Sequence, residues 1–230
     1  MPVNSLQVAL RHYQSGNIAE ASRQLSDLVK SEPAHAEAWH LLGLIDFATG
    51  NLTDAVKHFH QAVKLERSAK YLTNLGSAWH ALGETREAAD CFEQAVTANP
   101  HHAEARTYLG IIRLQQGRLD DAEACFQAAL LDNPKETQAL LNLGNVFHER
   151  SQLDQAAEQY ERALSCDPDY AEALLNLGAV RFNPNCAQRR ERKRLLPCLS
   201  DWQSVTWSQA GGADDSNSLS DTRRWRNRRT

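Results

Sequence analysis

The chain carries a Leu-Gly pair that returns at an almost constant interval. Successive pairs stand 33, 34, 34 and 34 residues apart. The pairs are Leu42-Gly43, Leu75-Gly76, Leu109-Gly110, Leu143-Gly144 and Leu177-Gly178. A fixed interval of this length indicates one supersecondary unit stacked on copies of itself, because a single unit cannot bury its own apolar face. The chain is therefore predicted to be mainly a repeat array, a class of protein that acts by binding.

Each repeat is predicted to be a helix, a short turn and a second helix. In residues 103–136, apolar residues recur at helical spacing up to Gly117, resume after it, and stop at Pro134. Gly110 and Ala122 are expected where the two helices of the hairpin cross closely, and Ala129 where the second helix meets the next repeat. Phe126 is expected to fill the space that these small residues leave.

The same ladder of small, aromatic and turn residues fills five successive units and begins a sixth. This ladder resembles the tetratricopeptide repeat. The resemblance implies an all-α fold, an α-solenoid in which tandem helix-turn-helix hairpins form a right-handed superhelix over residues 2–182. The predicted repeats are 2–35, 36–68, 69–102, 103–136, 137–170 and a partial repeat, 171–182. Two residues depart from the pattern: Arg67 replaces a closing proline, and Ser151 replaces a turn glycine.

Composition and hydropathy are typical of a water-soluble chain. Mean hydropathy is -0.56 and 23% of the residues are charged. No apolar run approaches the roughly 20 residues that a membrane-spanning helix needs, and residues 1–5 lack the start of a signal peptide. The five cysteines show no paired spacing, which predicts no disulfide framework. We therefore expect a cytoplasmic protein with no membrane insertion.

Residues 183–230 are predicted to form a separate, basic, low-complexity tail that is disordered. Asn183-Pro184-Asn185 interrupts the sixth repeat, and no sustained helical or strand period follows. Residues 1–181 hold 15 Lys and Arg against 24 Asp and Glu, whereas residues 182–230 hold 10 against 5. Either this tail folds back to cap the array, or the chain is a fragment or frameshifted form of a longer protein.

Two arginine clusters in the tail, 189–194 and 223–229, are compatible with a nuclear localisation signal or a nucleic-acid-binding arm. The neighbouring array is acidic, however, and would repel phosphate groups. The predicted partners are therefore proteins or peptides and not nucleic acid.

The resemblance also indicates where a partner would bind, because the first helices of such arrays line the concave side. The predicted groove residues are Asn74, Ser77, His80, Tyr108, Ile111, Asn142, Asn145, His148 and Asn176. Asn74, Asn142 and Asn176 resemble the asparagine ladder of O-GlcNAc transferase, whose amides hold the backbone of an extended peptide. An amide both donates and accepts hydrogen bonds, so it reads a peptide regardless of its side chains. Leu141 is expected to add apolar area to the groove.

Other kinds of site fit the sequence less well. Asn145 and Asn176 occupy the asparagine positions of the carboxylate clamp that some such repeats use, but Leu141 stands where that clamp needs a cation. The nine histidines show no spacing typical of a metal site. Phosphate-binding loops and nucleophile elbows are absent from the sequence. We therefore predict no enzyme activity, no metal and no cofactor.

Two functions follow as hypotheses. The first is a non-catalytic scaffold or adaptor that binds a peptide or helix in its concave groove. The alternative is a truncated, inactive N-terminal array that recruits substrates for a larger transferase, either a glycosyltransferase similar to O-GlcNAc transferase or a sulfotransferase. The sequence leaves the identity of the partner and the oligomeric state open.

Overall fold

The structure, a computed structural model, describes residues 5–181. This part of the chain contains eleven α-helices and no strand, which confirms the predicted all-α fold. The helices are α1 (Ser5–Gln14), α2 (Ile18–Ser31), α3 (Ala36–Ala48), α4 (Leu52–Leu65), α5 (Ala69–Ala81), α6 (Thr85–Ala98), α7 (Ala103–Gln115), α8 (Leu119–Asp132), α9 (Thr137–Glu149), α10 (Leu153–Cys166) and α11 (Ala171–Arg181). The predicted tail, residues 183–230, lies outside the described residues.

The helices pack in sequential pairs. The most extensive contacts are within α1–α2, α3–α4, α5–α6, α7–α8 and α9–α10, and smaller contacts join each pair to the next. The first helices also contact one another, α3 with α5, α5 with α7, α7 with α9, and α9 with α11. Within residues 5–181, the second helices make no comparable contact among themselves. The first helices therefore form an inner layer, and the second helices form an outer layer.

The repeat interval follows from constant helix and loop lengths. Helices α3, α5, α7 and α9 each have 13 residues, and α4, α6, α8 and α10 each have 14. Four residues join α6 to α7, but only residues 66–68 join α4 to α5, which explains the single interval of 33. Arg67 lies in this shorter loop and donates a hydrogen bond of 2.5 Å to Gln94 on α6.

In four hairpins, an aromatic ring from the second helix covers the glycine of the first. A Cβ atom added to Gly110 would lie 2.6 Å from Cε1 of Phe126, a distance that real Cβ atoms do not show. The equivalent pairs are Gly43 with Phe59, Gly76 with Phe92, and Gly144 with Tyr160. The four rings are at most 1% exposed. The predicted close crossing beside Phe126 is confirmed, and Ala122 and Ala129 are fully buried there.

The turn inside each hairpin requires a left-handed backbone. In four turns the residue with positive φ is a glycine: Gly16, Gly50, Gly83 and Gly117. In the turn between α9 and α10 it is Ser151, with φ of 59°. This conformation costs a residue with a Cβ atom about 1 kcal/mol. The fifth repeat therefore keeps the backbone of the turn and accepts some strain in place of glycine.

We predict that Gly110→Ala lowers the free energy of unfolding by about 1–3 kcal/mol, because the added methyl group overpacks against Phe126. Urea unfolding of the full chain, followed by circular dichroism, measures the change.

Gly178→Ala is the matched control at the same repeat position. Among the described residues, no atom outside the adjoining residues and backbone of α11 lies within 4 Å of a Cβ atom built on Gly178. Alanine is the better helix former, so this variant should gain up to about 1 kcal/mol. Equal losses from the two substitutions would contradict the ring-packing explanation.

The second repeat has a histidine, His40, at a buried position where the third and fourth repeats have threonine. His40 is 1% exposed and lies against Phe59 and Tyr71, with ring centroids 5.7 and 4.6 Å away. Its Nε2 atom lies 2.6 Å from Nδ2 of Asn74, an amide donor, so this nitrogen accepts and the imidazole is neutral. Burial, together with the smaller effect of the Lys70 charge, lowers the pKa of His40 to about 4.

This lowered pKa makes stability depend on pH in a defined window. An unfolded histidine has a pKa near 6.5, so the unfolded chain binds more protons than the folded chain between that pH and about 4. We predict that His40 alone removes about 2 kcal/mol of stability between pH 7 and pH 5. The measurement is urea unfolding of wild type and His40→Thr at both pH values. Thr73 and Thr107 occupy the equivalent buried positions, and an unchanged pH dependence in His40→Thr would contradict the assignment.

Candidate peptide-binding groove

The inner layer contains a cavity of about 500 Å³ between α7, α9 and α11. This volume lies in the range of ligand-binding clefts. The residues that line the cavity are Leu114, Gln115, Gly117, Leu119, Asn145, His148, Glu149, Tyr160, Asn176 and Ala179. Three of the predicted groove residues, Asn145, His148 and Asn176, therefore share one concave site, which we call the α7–α11 cavity.

A hydrogen-bonded cluster lies at this cavity. The Oδ1 atom of Asn145 accepts from the hydroxyl of Tyr160 (2.8 Å) and from Nδ2 of Asn176 (2.9 Å). These two bonds use both lone pairs of Asn145 Oδ1. The Oδ1 atom of Asn176 accepts no hydrogen bond from the described residues, and Asn145 Nδ2 makes only a long contact of 3.5 Å to Asn142. The cluster therefore retains an acceptor and a donor for a ligand.

Tyr160 connects this cluster to the core. Its ring is 1% exposed and covers Gly144, while its hydroxyl lies in the cavity lining. The pKa of Tyr160 is raised to about 12, mainly by burial; the neighbouring Asn176 amide opposes the rise, and the Glu172 and Glu149 carboxylates contribute to it. The phenol therefore stays protonated, and it acts as a hydrogen-bond donor to Asn145.

The other two amides of the predicted ladder bond to the protein itself. Asn74 Nδ2 lies 2.6 Å from the ring nitrogen of His40, one repeat earlier. Asn142 Nδ2 donates to the carbonyl oxygen of Gln138 on its own helix (2.8 Å). Both asparagines are half-buried, and neither lines the α7–α11 cavity. The asparagine positions are thus equivalent in sequence but differ in hydrogen bonding.

Three predicted groove residues in the middle repeats take part in packing. Ser77 donates to the carbonyl oxygen of Thr73 (3.0 Å). Tyr108 stacks on Phe92 with a centroid distance of 5.0 Å and an interplanar angle of 6°. Ile111 is half-buried and packs against the core of the C-terminal repeats. These side chains lie outside the lining of the α7–α11 cavity.

Of the remaining predicted residues, two lie at or beside the cavity and one is buried in the core. His148 is exposed and lines the cavity, and His80 lies next to it through Gln115, whose Nε2 atom is 3.4 Å from His80 Nε2. Leu141, expected to add apolar area to the groove, is 2% exposed and belongs to the core, so that prediction is wrong.

The sequence reasoning missed two polar residues of the cavity. Gln115 and Glu149 line it from the ends of α7 and α9. They stand 34 residues apart and therefore occupy the same repeat position. In the fifth repeat this position directly follows His148. Extending the predicted groove by one residue along each first helix would have found both.

Several histidines have structural partners. His35 and His102 cap α3 and α7 by accepting backbone N–H groups at 3.4 and 3.2 Å. His58 pairs with Asp46 (2.6 Å) on the neighbouring helix of its hairpin. Among residues 5–181, no group of three His, Cys, Asp or Glu residues is placed to hold a metal ion. None of the described helices is both long and apolar enough to cross a bilayer.

Tandem helix pairs with an inner first-helix layer define a tetratricopeptide-repeat α-solenoid, a fold typical of scaffolds for protein–protein interaction. Residues 3–200 match the family described as the cilia and flagella-associated protein 70 C-terminal domain. The chain belongs to this family. The match extends beyond residue 182, the predicted end of the array.

Comparison with individual proteins agrees with this assignment. The human cilia- and flagella-associated protein 70 is 32% identical over 111 residues, which are 46% of this chain and 10% of the human protein. This match therefore spans only a tenth of the length of that curated relative.

Solved structures share the fold. The Cut9–Hcn1 hetero-tetramer of the APC/C aligns with a TM-score of 0.72 and 19% identity, over 79% of this chain and 36% of that one. YrrB, described as a TPR protein with an unusual peptide-binding site, aligns with a TM-score of 0.60 and 20% identity, over 76% of this chain and 90% of its own. At these identities the likeness extends to the fold alone.

We predict that Tyr160→Phe lowers the free energy of unfolding by about 0.5–1.5 kcal/mol, the net value of one hydrogen bond. Phenylalanine fits sterically, because Phe59, Phe92 and Phe126 occupy the equivalent positions. The measurement is the urea midpoint of the full chain. A loss of 3 kcal/mol or more, the size expected for a lost ring, would contradict a role confined to the hydroxyl.

Proposed function

We propose that the chain is a non-catalytic adaptor that binds an extended peptide segment of another protein in the α7–α11 cavity. The observation that carries this proposal is the amide pair at the cavity: Asn145 and Asn176 hold one another in place and retain a donor and an acceptor. A peptide unit offers one carbonyl and one N–H group. The pair matches that chemistry without requiring a particular side chain.

The rest of the cavity supports a peptide ligand. Leu114, Leu119 and Ala179 supply apolar walls around the amides. A groove with a few placed polar groups and apolar walls is the usual design of a ligand site. Because Asn145 is fixed by Tyr160 and Asn176 (2.8 and 2.9 Å), little side-chain entropy is lost when a ligand binds.

The family assignment supports a proposal about the assembly to which the partner belongs. The relative is named for association with cilia and flagella, so we propose that the partner belongs to a ciliary or flagellar assembly. A cytoplasmic location and a boundary between array and tail near residue 182 remain predictions. Neither the described residues nor the matched family supports the alternative of a transferase-recruiting array.

We predict that peptides selected by this protein lose affinity when the amide pair is removed. A random ten-residue peptide library displayed on phage is selected on the full chain, and the selected sequences are synthesised with a fluorescent label. The double variant Asn145→Ala, Asn176→Ala should bind them about 5- to 150-fold more weakly, because each lost hydrogen bond contributes about 0.5–1.5 kcal/mol. Fluorescence anisotropy measures the dissociation constants.

Gln155→Ala serves as the matched control, because it removes an exposed amide from α10 outside the cavity lining. Its affinity should equal that of wild type. Circular dichroism checks that all variants keep their helices. Selected peptides that bind the double variant as tightly as wild type would exclude the cavity as the binding site.

A further inference from the structure

The described lining of the α7–α11 cavity is negatively charged. With histidine counted as neutral, Glu149 is the only charged residue that residues 5–181 contribute to its lining, and no lysine or arginine of this part of the chain lines it. Glu149 and Glu172 both act electrostatically on the phenol of Tyr160 at the cavity. The lining therefore favours a cation over an anion.

The carboxylate of Glu149 is left unpaired by its neighbours. The adjacent Arg150 turns to α8, where it pairs with Asp120 and Glu123. Arg181, on the last described helix, pairs with Glu161 (2.7 Å). No ion pair or hydrogen bond joins the Glu149 side chain to another residue within 5–181. Glu149 thus carries an exposed charge that the fold itself does not use.

The position of Glu149 is also unfavourable for the helix. Glu149 is the last residue of α9, where the negative end of the helix dipole repels a carboxylate. The equivalent last residues of α3, α5 and α7 are Ala48, Ala81 and Gln115, none of them acidic. The repeat therefore does not require a carboxylate at this position.

The shape and polarity of the cavity distinguish between the two basic side chains. Arginine has an apolar stem and a planar group of five N–H donors, which needs several acceptors at once. The cavity offers the Glu149 carboxylate, the unused Oδ1 atom of Asn176 and the side-chain oxygen of Gln115, beside the apolar Leu114 and Ala179. A lysine ammonium would use these acceptors less completely.

We infer that the partner peptide places an arginine side chain in the α7–α11 cavity, with Glu149 as its counter-ion. This inference rests on the proposed function, since it names the side chain that the same cavity takes. The partner it fits is a basic segment of another protein.

The test is a double-mutant cycle at pH 8 with the library-selected peptides and the full chain. Each selected peptide is synthesised with arginine and with citrulline, its neutral isostere. For wild type, citrulline should weaken binding by about 10- to 100-fold, the loss expected for a charge-assisted hydrogen bond. Glu149→Gln should weaken the arginine peptide by a similar factor and leave the citrulline peptide unchanged. Glu158→Gln, an exposed carboxylate on α10 outside the cavity lining, should change neither.

The outcomes separate this inference from the proposed function. Selected peptides that lack arginine, or that bind Glu149→Gln and wild type equally, would overturn the arginine inference while dependence on Asn145 and Asn176 upholds peptide binding. Peptides indifferent to the asparagines would overturn both. Sedimentation gives one further outcome: self-association of the full chain that Glu149→Gln abolishes would identify a second copy as the occupant and overturn the proposal of a partner peptide.

Discussion

The contact between a glycine and an aromatic ring holds four of the five described hairpins together, and the rest of the array depends on it. The ring of Phe59, Phe92, Phe126 or Tyr160 occupies the space that a side chain on the first helix would need. This fixes both the approach of the two helices and their rotation, because a ring can enter only where the glycine faces it. Once four hairpins share this contact, their first helices stack in the same phase, and equivalent residues lie in a row along the inner layer.

The fifth hairpin modifies this contact in a way that couples core and groove. Tyrosine replaces phenylalanine at position 160, and the added hydroxyl emerges at the inner layer and donates to Asn145 (2.8 Å). In turn, Asn145 accepts from Asn176 on α11 (2.9 Å), so one packing residue orients amides from two first helices. The ring stabilises the hairpin as its phenylalanine counterparts do. The hydroxyl, which Phe59, Phe92 and Phe126 lack, gives this repeat a preorganised polar site.

The helices and the inner layer could be predicted from the sequence because both depend on the local spacing of residue types. The Leu-Gly interval, the small residues and the turn at Ser151 were sufficient to place eleven helices within residues 5–181. The same periodicity placed Asn145 and Asn176 on the inner layer. It could not show that the Asn74 amide is bonded to the protein itself. Asn74 bonds to His40, whereas threonines occupy the position of His40 in the next two repeats. Leu141 stands 34 residues after Thr107, at a repeat position that is buried in both repeats, so its burial could also have been predicted from the periodicity.

The inner layer therefore has a similar backbone in each repeat, but the repeats differ in which side-chain atoms remain for binding a ligand. In the N-terminal half, groove positions are used for packing: Leu41, which stands one repeat before Asn74, is 9% exposed, and Asn74 is bonded to a buried imidazole. In the middle, Tyr108 stacks on Phe92. Toward α11, unused hydrogen-bonding atoms and a carboxylate without an ion pair among residues 5–181 meet in one cavity. Repeat proteins gain stability from contacts between neighbours, so an array can commit most of its positions to packing and still keep a few for a ligand. The α7–α11 cavity is where this chain keeps them.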